Sequence, residues 1–377
     1  MRADPSPYRI QVRRGKSVAT HPRTSVIALV TNDTTMLQGS LRAVAATVSA
    51  DGAPEVIVVA NGTPEGALAA LEQREDIVLI RSPVNHGFGG GCNLAVRHAR
   101  GERLVFLNDD ATVTKGWLEG LHGALDADPD VAVVGSRVLL SNGRLQEAGC
   151  VLWRDGSTSG VGRGAEPHAL EFSTARRVDY VSFCCAMVRH AAWEEAGGFD
   201  ERYFPAYYED VDLCLTLHQL GWKVMYEPTS VVHHIEGGSA TAHYRDFLSR
   251  RNQLVFVAKW TDVLPDYEPP PAKEGTRAQA VSRALRRAAD RPVPVTTHTA
   301  VSAGTPAPLA ADTVDDVEAL VLHVRHMSEA VAVDKAYLNL LQREAAARGL
   351  RDLIKGRLRR AVGGIKRRLL GLRRGRR

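Results

Sequence analysis

Between residues 25 and 138 the chain alternates short, wholly apolar runs with segments of helical spacing. SVIALVT (25–31), EVIVVA (55–60), IVLIR (77–81), RLVFL (103–107) and VAVVGSRV (131–138) read as strands. MLQGSLRAVAATV (36–48), a stretch near 65–73, GGGCNLAVRHA (89–99) and KGWLEGLHGALDA (115–127) space their apolar residues three and four apart and read as helices. A strand that is apolar at every position is buried on both faces. Strands of that kind separated by helices predict a parallel sheet covered on both sides.

From 139 to 180 the pattern loosens into Gly-, Ser- and Arg-rich loops with a hairpin. VDYVSFCCAMV (178–188) predicts a strand, and AAWEEAGGF a helix stopped by its Gly-Gly pair. The run from Tyr208 to Leu220 is helical and stops at Gly221; KVMYEP and TSVVHH predict two short strands, and Phe247 to Trp260 a further helix. Residues 264–312 are rich in Pro, Ala, Thr and Arg, the composition of a linker. Residues 313–349 predict one long helix or two, with Thr313 as a cap. The expected organisation is a loose leader (1–24), a main domain (25–262), a linker (263–312), a helical segment (313–349) and a basic tail (350–377).

Composition bounds the class. The 377 residues are 44% hydrophobic and 24% charged, which suits one large domain with extensions. No apolar run reaches about 18 residues, so no spanning helix is expected. MRADPSPYRI lacks the apolar stretch of a secretory signal. The five cysteines are odd in number, two are neighbours, and none forms a CxxC pair; a disulfide framework or zinc site is not expected, and a reducing cytoplasm is. The net charge of +5 hides a division. Residues 351–377 hold twelve Lys/Arg against Asp352, or +11, which leaves −6 on the other 350 residues. In that tail Ile354, Leu358, Val362, Ile365, Leu369 and Leu372 fall on one helical face and the cations on the other, the pattern of a helix lying on an anionic membrane. A solvated tail and a nucleic-acid arm have the same charge, but the acidic body argues against nucleic acid.

Four segments carry candidate chemistry. In VFLNDDATV (105–113) a buried strand ends in Asn108, Asp109 and Asp110; adjacent carboxylates at a sheet's carboxyl rim are either a capped turn or a grip on a divalent cation. NHGFGGGCN (85–93) places Gly87, Gly89, Gly90 and Gly91 at a helix start, where backbone amides either approach a phosphate or simply turn. It is neither the dinucleotide fingerprint nor a GxxxxGK[ST] loop. In GGFDERYFPAYYEDVDLCLTLHQLGW (197–222), Glu209, Asp210 and Asp212 open a helix behind four aromatic residues; they are helix-dipole partners, or they supply a general base beside a wall that excludes water. SVVHHIEGGS (230–239) offers His233 and His234 after an apolar strand, as a metal ligand or as structural residues.

In this order LNDD, GGFDERYF, YYEDVDLCL with LGW, and VVHH with GGS resemble glycosyltransferase family 2, above all its bacterial rhamnosyl- and galactofuranosyl-transferase-like branch. The resemblance covers about residues 25–260 and extends to YRDFLSRRNQLVF (244–256). It implies a GT-A fold with a mostly parallel central sheet, here followed by a C-terminal helical extension. It implies inverting transfer of a sugar from a nucleotide sugar to the hydroxyl of a saccharide or lipid-linked saccharide, with Mn²⁺ or Mg²⁺ as cofactor. The metal motif falls on Asn108-Asp109-Asp110, with Asp110 as the direct ligand, Asp109 beside it and His234 as a further ligand. The Glu-Asp motif falls on Glu209-Asp210, with Asp210 as the base. Substrate contacts are expected from Asn85, Gly87, Gly89 and Asn93 along the nucleotide sugar, and from Asn108, Asp109 and Asp212.

Three positions depart from the family pattern. Ala60-Asn61 stands where an acidic pair commonly contacts the base, so Asn32, Asp33 or Asn61 is expected to substitute. Thr216 replaces a usual Arg, and Phe183 a usual Gly. The expected location is the cytoplasmic face of the cell membrane, peripherally bound, in envelope or surface-polysaccharide synthesis. The competing reading is a catalytically silent nucleotide- or carbohydrate-binding module tethered by its tail.

Overall fold

The computed structural model describes residues 10–47, 52–235, 242–272 and 274–292. The start of the expected leader, the end of the linker, the helical segment and the basic tail lie outside the described residues.

The chain opens with β1 (Gln11–Arg14), β2 (Thr24–Val30), α1 (Thr35–Ala46), β3 (Glu55–Asn61), α2 (Glu65–Glu72), β4 (Ile77–Ser82), α3 (Gly87–Val96) and β5 (Arg103–Leu107). It continues through β6 (Ala111–Val113), α4 (Trp117–Asp126), β7 (Val131–Leu140), β8 (Leu145–Glu147), β9 (Cys150–Leu152), β10 (Thr158–Gly160), β11 (Arg176–Arg177) and β12 (Cys185–Arg189). Then come α5 (His190–Ala196), α6 (Glu209–Gln219), β13 (Lys223–His234), α7 (Ala242–Lys259) and α8 (Arg277–Asp290). The main sheet has the order β1-β4-β3-β2-β5-β12-β7-β13-β11, with β6 added to β13 and β8 to β7; β9 and β10 form a separate hairpin.

The apolar runs do form a parallel block, β4-β3-β2-β5, and β7 runs parallel to β13. Each run is buried on both faces. Val26, Ala28 and Val30 point into a core shared with α1, α2 and α4, whereas Ile27, Ile57 and Phe106 point into one shared with α3, α5 and α6. Of the strand expected over 178–188, only the end is realised, as β12, and it runs against the parallel block. It enters the sheet from the carboxyl rim without a crossover helix, so it runs antiparallel to both β5 and β7. Its first residue, Cys185, pairs with Leu107, the last of β5. Residues 182–184 therefore lie on the same rim as the end of β5.

Three boundaries change. KVMYEP and TSVVHH are one strand, β13, with an irregularity between Glu227 and Val231. The leader contributes β1, paired antiparallel to β4. Of the expected linker, residues 264–272 and 274–292 are built into the domain. α8 buries Ala280, Ala284 and Ala288, one per turn, and its Arg287 pairs with the buried Asp179 at 2.6 Å and with Glu268 at 2.7 Å. An alanine stripe is too weakly apolar to stand out from a linker's composition, yet small side chains let a helix pack closely.

Candidate active site

The first part of the site is the turn after β5. The Asn108 amide donates to Cys184 O at 2.9 Å, and the Ala111 amide donates to Asn108 O at 3.2 Å, which reverses the chain into β6. Ser40 of α1 holds the turn from outside, its hydroxyl donating to Asp109 O and Ala111 O. Because β6 pairs with the end of β13, Ala111 lies opposite His234. This pairing brings Asp110 Oδ1 to 3.0 Å from His234 Nε2, although the two are far apart in sequence. Both residues are buried. Burial, and next the Asp110 charge, push Asp109 up to about 6.

His234 Nδ1 lies 2.9 Å from Gln146 Oε1. With Nδ1 donating to that oxygen, Nε2 turns a lone pair toward the Asp110 carboxylate. Such a contact requires a proton or a cation between the two. The 3.0 Å gap is also the spacing of adjacent ligands about an ion with bonds of roughly 2.1 Å. Among the described residues no three His, Cys, Asp or Glu side chains converge on one point. The donor set therefore fits a divalent ion that arrives with further ligands of its own, as one bound to substrate phosphates does.

The second part is the start of α6. Tyr207 and Tyr208, immediately before it, have φ of 80° and 77°, a left-handed conformation that costs a non-glycine residue about 1–3 kcal/mol. Glu209 is buried, and its Oε2 has no hydrogen-bond partner among the described residues. Asp210 keeps a partly open face; its carboxylate accepts from the Val211 amide at 2.8 Å and from the Phe183 amide. Burial pushes both carboxyl groups well above the ordinary range; the charge of Asp210 raises Glu209 further, and the charge of Glu147 raises Asp210. Successive residues thus connect the two parts: Phe183 N–H holds Asp210, and Cys184 C=O holds the Asn108 turn.

Sequence reasoning missed Gln146 and Glu147. Both come from β8, in a region with no clear periodicity. Glu147 is buried and accepts from the Ser182 hydroxyl at 2.6 Å and from its amide at 3.2 Å. Only the β7–β8 register, which pairs Val138 with Glu147, puts them in the site.

Several residues expected to contact substrate also make hydrogen bonds or close packing contacts within the protein. Asn61 donates to Asn85 Oδ1 and Gly87 O and accepts from the His86 amide, so its carboxamide staples the β4–α3 loop. Asn85 Oδ1 also accepts from the Gly87 amide. Asn93 pairs with the backbone of Phe199 in both directions and with Glu201. Gly87 (φ 71°) and Gly89 face the 199–209 segment: a Cβ on Gly87 would lie 2.6 Å from Pro205 O, and one on Gly89 3.2 Å from the Phe199 side chain. These glycines serve close packing. Asp212, 2% exposed, accepts from Tyr203 Oη, Trp260 Nε1 and Lys259 Nζ at 2.7–2.9 Å, tying α6 to α7. Asn32 and Asp33 follow the end of β2 and are exposed there. Asp33 caps its own turn through the Thr35 amide; hydrogen bonds from the Thr35 hydroxyl and amide keep its carboxyl below the usual range.

Residues 25–195 match the family model described as Glycosyl transferase family 2. That stretch is similar to family 2 glycosyltransferases. It is 30% identical over 241 residues to O-antigen biosynthesis protein RfbC of Myxococcus xanthus, a match covering 61% of this chain and 18% of that protein. It is 28% identical over 226 residues to N-acetylglucosaminyl-diphospho-decaprenol L-rhamnosyltransferase of Mycobacterium tuberculosis, covering 54% of this chain and 73% of that enzyme. The chain spans about a fifth of the length of the first curated relatives it matches. A crystal structure of GalNAc-T7 with UDP, GalNAc and Mn²⁺ superposes with a TM-score of 0.53 at 15% identity, covering 66% of this chain and 49% of that one. The described residues accordingly share the expected GT-A fold.

Proposed function

We propose that the protein is an inverting, metal-dependent glycosyltransferase that moves a sugar from a nucleotide sugar to an acceptor hydroxyl. One observation carries the reading most. Phe183 and Cys184, successive in the chain, hold a buried acid pair on one side and a cation-ready turn on the other. A direct displacement needs both, a base at the acceptor and charge neutralisation at the leaving diphosphate.

Asp210 takes the proton of the acceptor hydroxyl as its oxygen attacks the anomeric carbon. The bond from that carbon to the diphosphate oxygen breaks on the opposite face, which inverts the centre. A buried carboxylate with a raised pKa is a better base than an exposed one. Asp110 and His234, with Asp109 beside them, would hold a divalent ion, whose chemistry there is to offset the charge of the departing diphosphate. Asn32, Asp33 and Asn108 line the open rim where the nucleotide sugar binds.

The names of the relatives, one for O-antigen synthesis and one for transfer to a diphospho-decaprenol acceptor, support a saccharide or lipid-linked saccharide acceptor and a role in envelope glycans. Among the described residues no helix is long and apolar enough to cross a membrane. The basic amphipathic tail, outside the described residues, would bring the enzyme to an anionic inner membrane face where a lipid-linked acceptor resides.

The test is a thermal-shift screen of nucleotide sugars with Mn²⁺, followed by transfer assays on the stabilising donor. Asp210→Asn is expected to lower transfer by about 10²- to 10⁴-fold while donor binding persists. Full activity in that variant overturns the assigned base. Donor binding without turnover across a broad acceptor panel would favour the silent binding module.

A further inference from the structure

Asn252 lies on α7, outside the residues matched by the family model, and is fully buried. Its Nδ2 lies 2.9 Å from Tyr203 O, 2.8 Å from Ala206 O and 2.8 Å from Tyr207 O. Its Oδ1 accepts from Arg251 Nε at 3.0 Å, which fixes the orientation of the amide: the oxygen faces the guanidinium and the NH₂ group faces the carbonyls. Arg251, 2% exposed, donates to Phe204 O, while Pro205 O accepts from the Phe88 amide at 2.7 Å. Two adjacent α7 side chains therefore hold the carbonyls of Tyr203, Phe204, Ala206 and Tyr207. These belong to the turn that carries the two left-handed tyrosines and leads straight into Glu209 and Asp210.

A tyrosine leaves the left-handed region readily unless its surroundings hold it there. The first turn of α6 depends on this segment, because the Asp212 amide donates to Tyr208 O, at the left-handed residue that precedes the helix. If Tyr207 and Tyr208 relaxed to ordinary φ values, the helix start would swing and the Asp210 carboxylate would leave the Phe183 amide. The turn at Asn108–Asp110 is held by other groups, from Ser40, Cys184 and β13, and would not move.

We propose that Asn252, seconded by Arg251, is a positioning residue that locks the 203–208 turn in its strained form and so aims Asp210 at the acceptor hydroxyl. This rests on Asp210 being the base. The lock predicts a division of effects: weakening it disturbs proton abstraction and leaves nucleotide binding alone.

The experiment compares wild type with Asn252→Ala and Asn252→Asp. The aspartate variant is nearly isosteric but turns oxygens toward three carbonyl oxygens. Hydrogen exchange at the amides of Phe204 and Asp212 is expected to speed up in both variants, reporting local opening. With a donor found as above, kcat is expected to fall about 10- to 100-fold, the loss that a misplacement of about an ångström brings. The affinity for that nucleotide with Mn²⁺ is expected to stay unchanged. Tyr207→Gly added to Asn252→Ala is expected to restore much of the lost kcat, because glycine adopts the left-handed form without help. A residue that merely fills the core would not be rescued by that glycine. Unchanged exchange at those amides, a parallel fall in nucleotide affinity, or no rescue by Tyr207→Gly would each overturn the lock. If wild type transfers no sugar, the functional reading fails separately, and the exchange arm still decides whether Asn252 holds the turn.

Discussion

Asp210 and Glu209 share a corner where burial raises both carboxyl groups, the Asp210 charge raises Glu209 further, and the Glu147 charge raises Asp210. A raised carboxyl pKa means that the proton is kept to higher pH; the base form accumulates above that pKa and is lost as pH falls through it. The rate of transfer should therefore rise with pH toward neutrality. Glu147→Gln removes the charge that raises Asp210 and should move the acid limb of the kcat/KM profile to lower pH; a limb that stays in place would dissociate Glu147 from the base. At the other part of the site, Mn²⁺ with a nucleoside diphosphate should raise the melting temperature of wild type. Asp110→Asn and His234→Ala should each abolish that rise, since each removes one of the two protein donors that stand 3.0 Å apart. Of these residues, Asp109, Asp110, Glu209, Asp210 and His234 were legible as motifs. Glu147 and Gln146 were not, because a three-residue strand in a loop-rich region leaves no periodic trace.

At the scale of elements, the least legible piece was α8, since its contact face is alanine. Its hold on the domain is largely ionic. Arg287 neutralises Asp179, whose side chain is 1% exposed and also accepts from the Leu152 amide. Arg287→Ala strands most of that charge and should destabilise the fold by about 3 kcal/mol, measured by urea unfolding. Loss below about 0.5 kcal/mol, the range of an ordinary surface change, would mean that Arg291, 3.7 Å from Asp179, suffices by itself. The glycine-rich start of α3 makes a comparable case. Gly87 has φ of 71° and sits against Pro205 O, so Gly87→Ala combines a disfavoured backbone with a clash and should cost roughly 2 kcal/mol or more. The glycines were evident in the sequence, but whether they approached a phosphate or a neighbouring loop was not. In the folded chain Asn61, Asn85 and Asn93 all bind protein groups around that loop.

For the whole molecule, the division of charge sets a further expectation. A chain cut after residue 349 loses the +11 tail. It should keep turnover of a water-soluble acceptor but lose salt-sensitive binding to vesicles containing anionic lipid, as judged by co-sedimentation. Undiminished vesicle binding would remove the tail from the reading. The sequence by itself determined the parallel, doubly covered sheet, because burial on both faces leaves a continuous apolar run for each strand. It also determined the identity of the acidic and histidine motifs, because their chemistry is written in residue types and order. Tertiary structure alone decided which motifs meet. Asp110 and His234 become neighbours through the β6–β13 pairing, Asp210 and the Asn108 turn through two successive residues before an antiparallel strand, and the left-handed tyrosines through a carboxamide on a distant helix. Such contacts depend on register and strand direction, which the pairing of the folded sheet sets and no local spacing records.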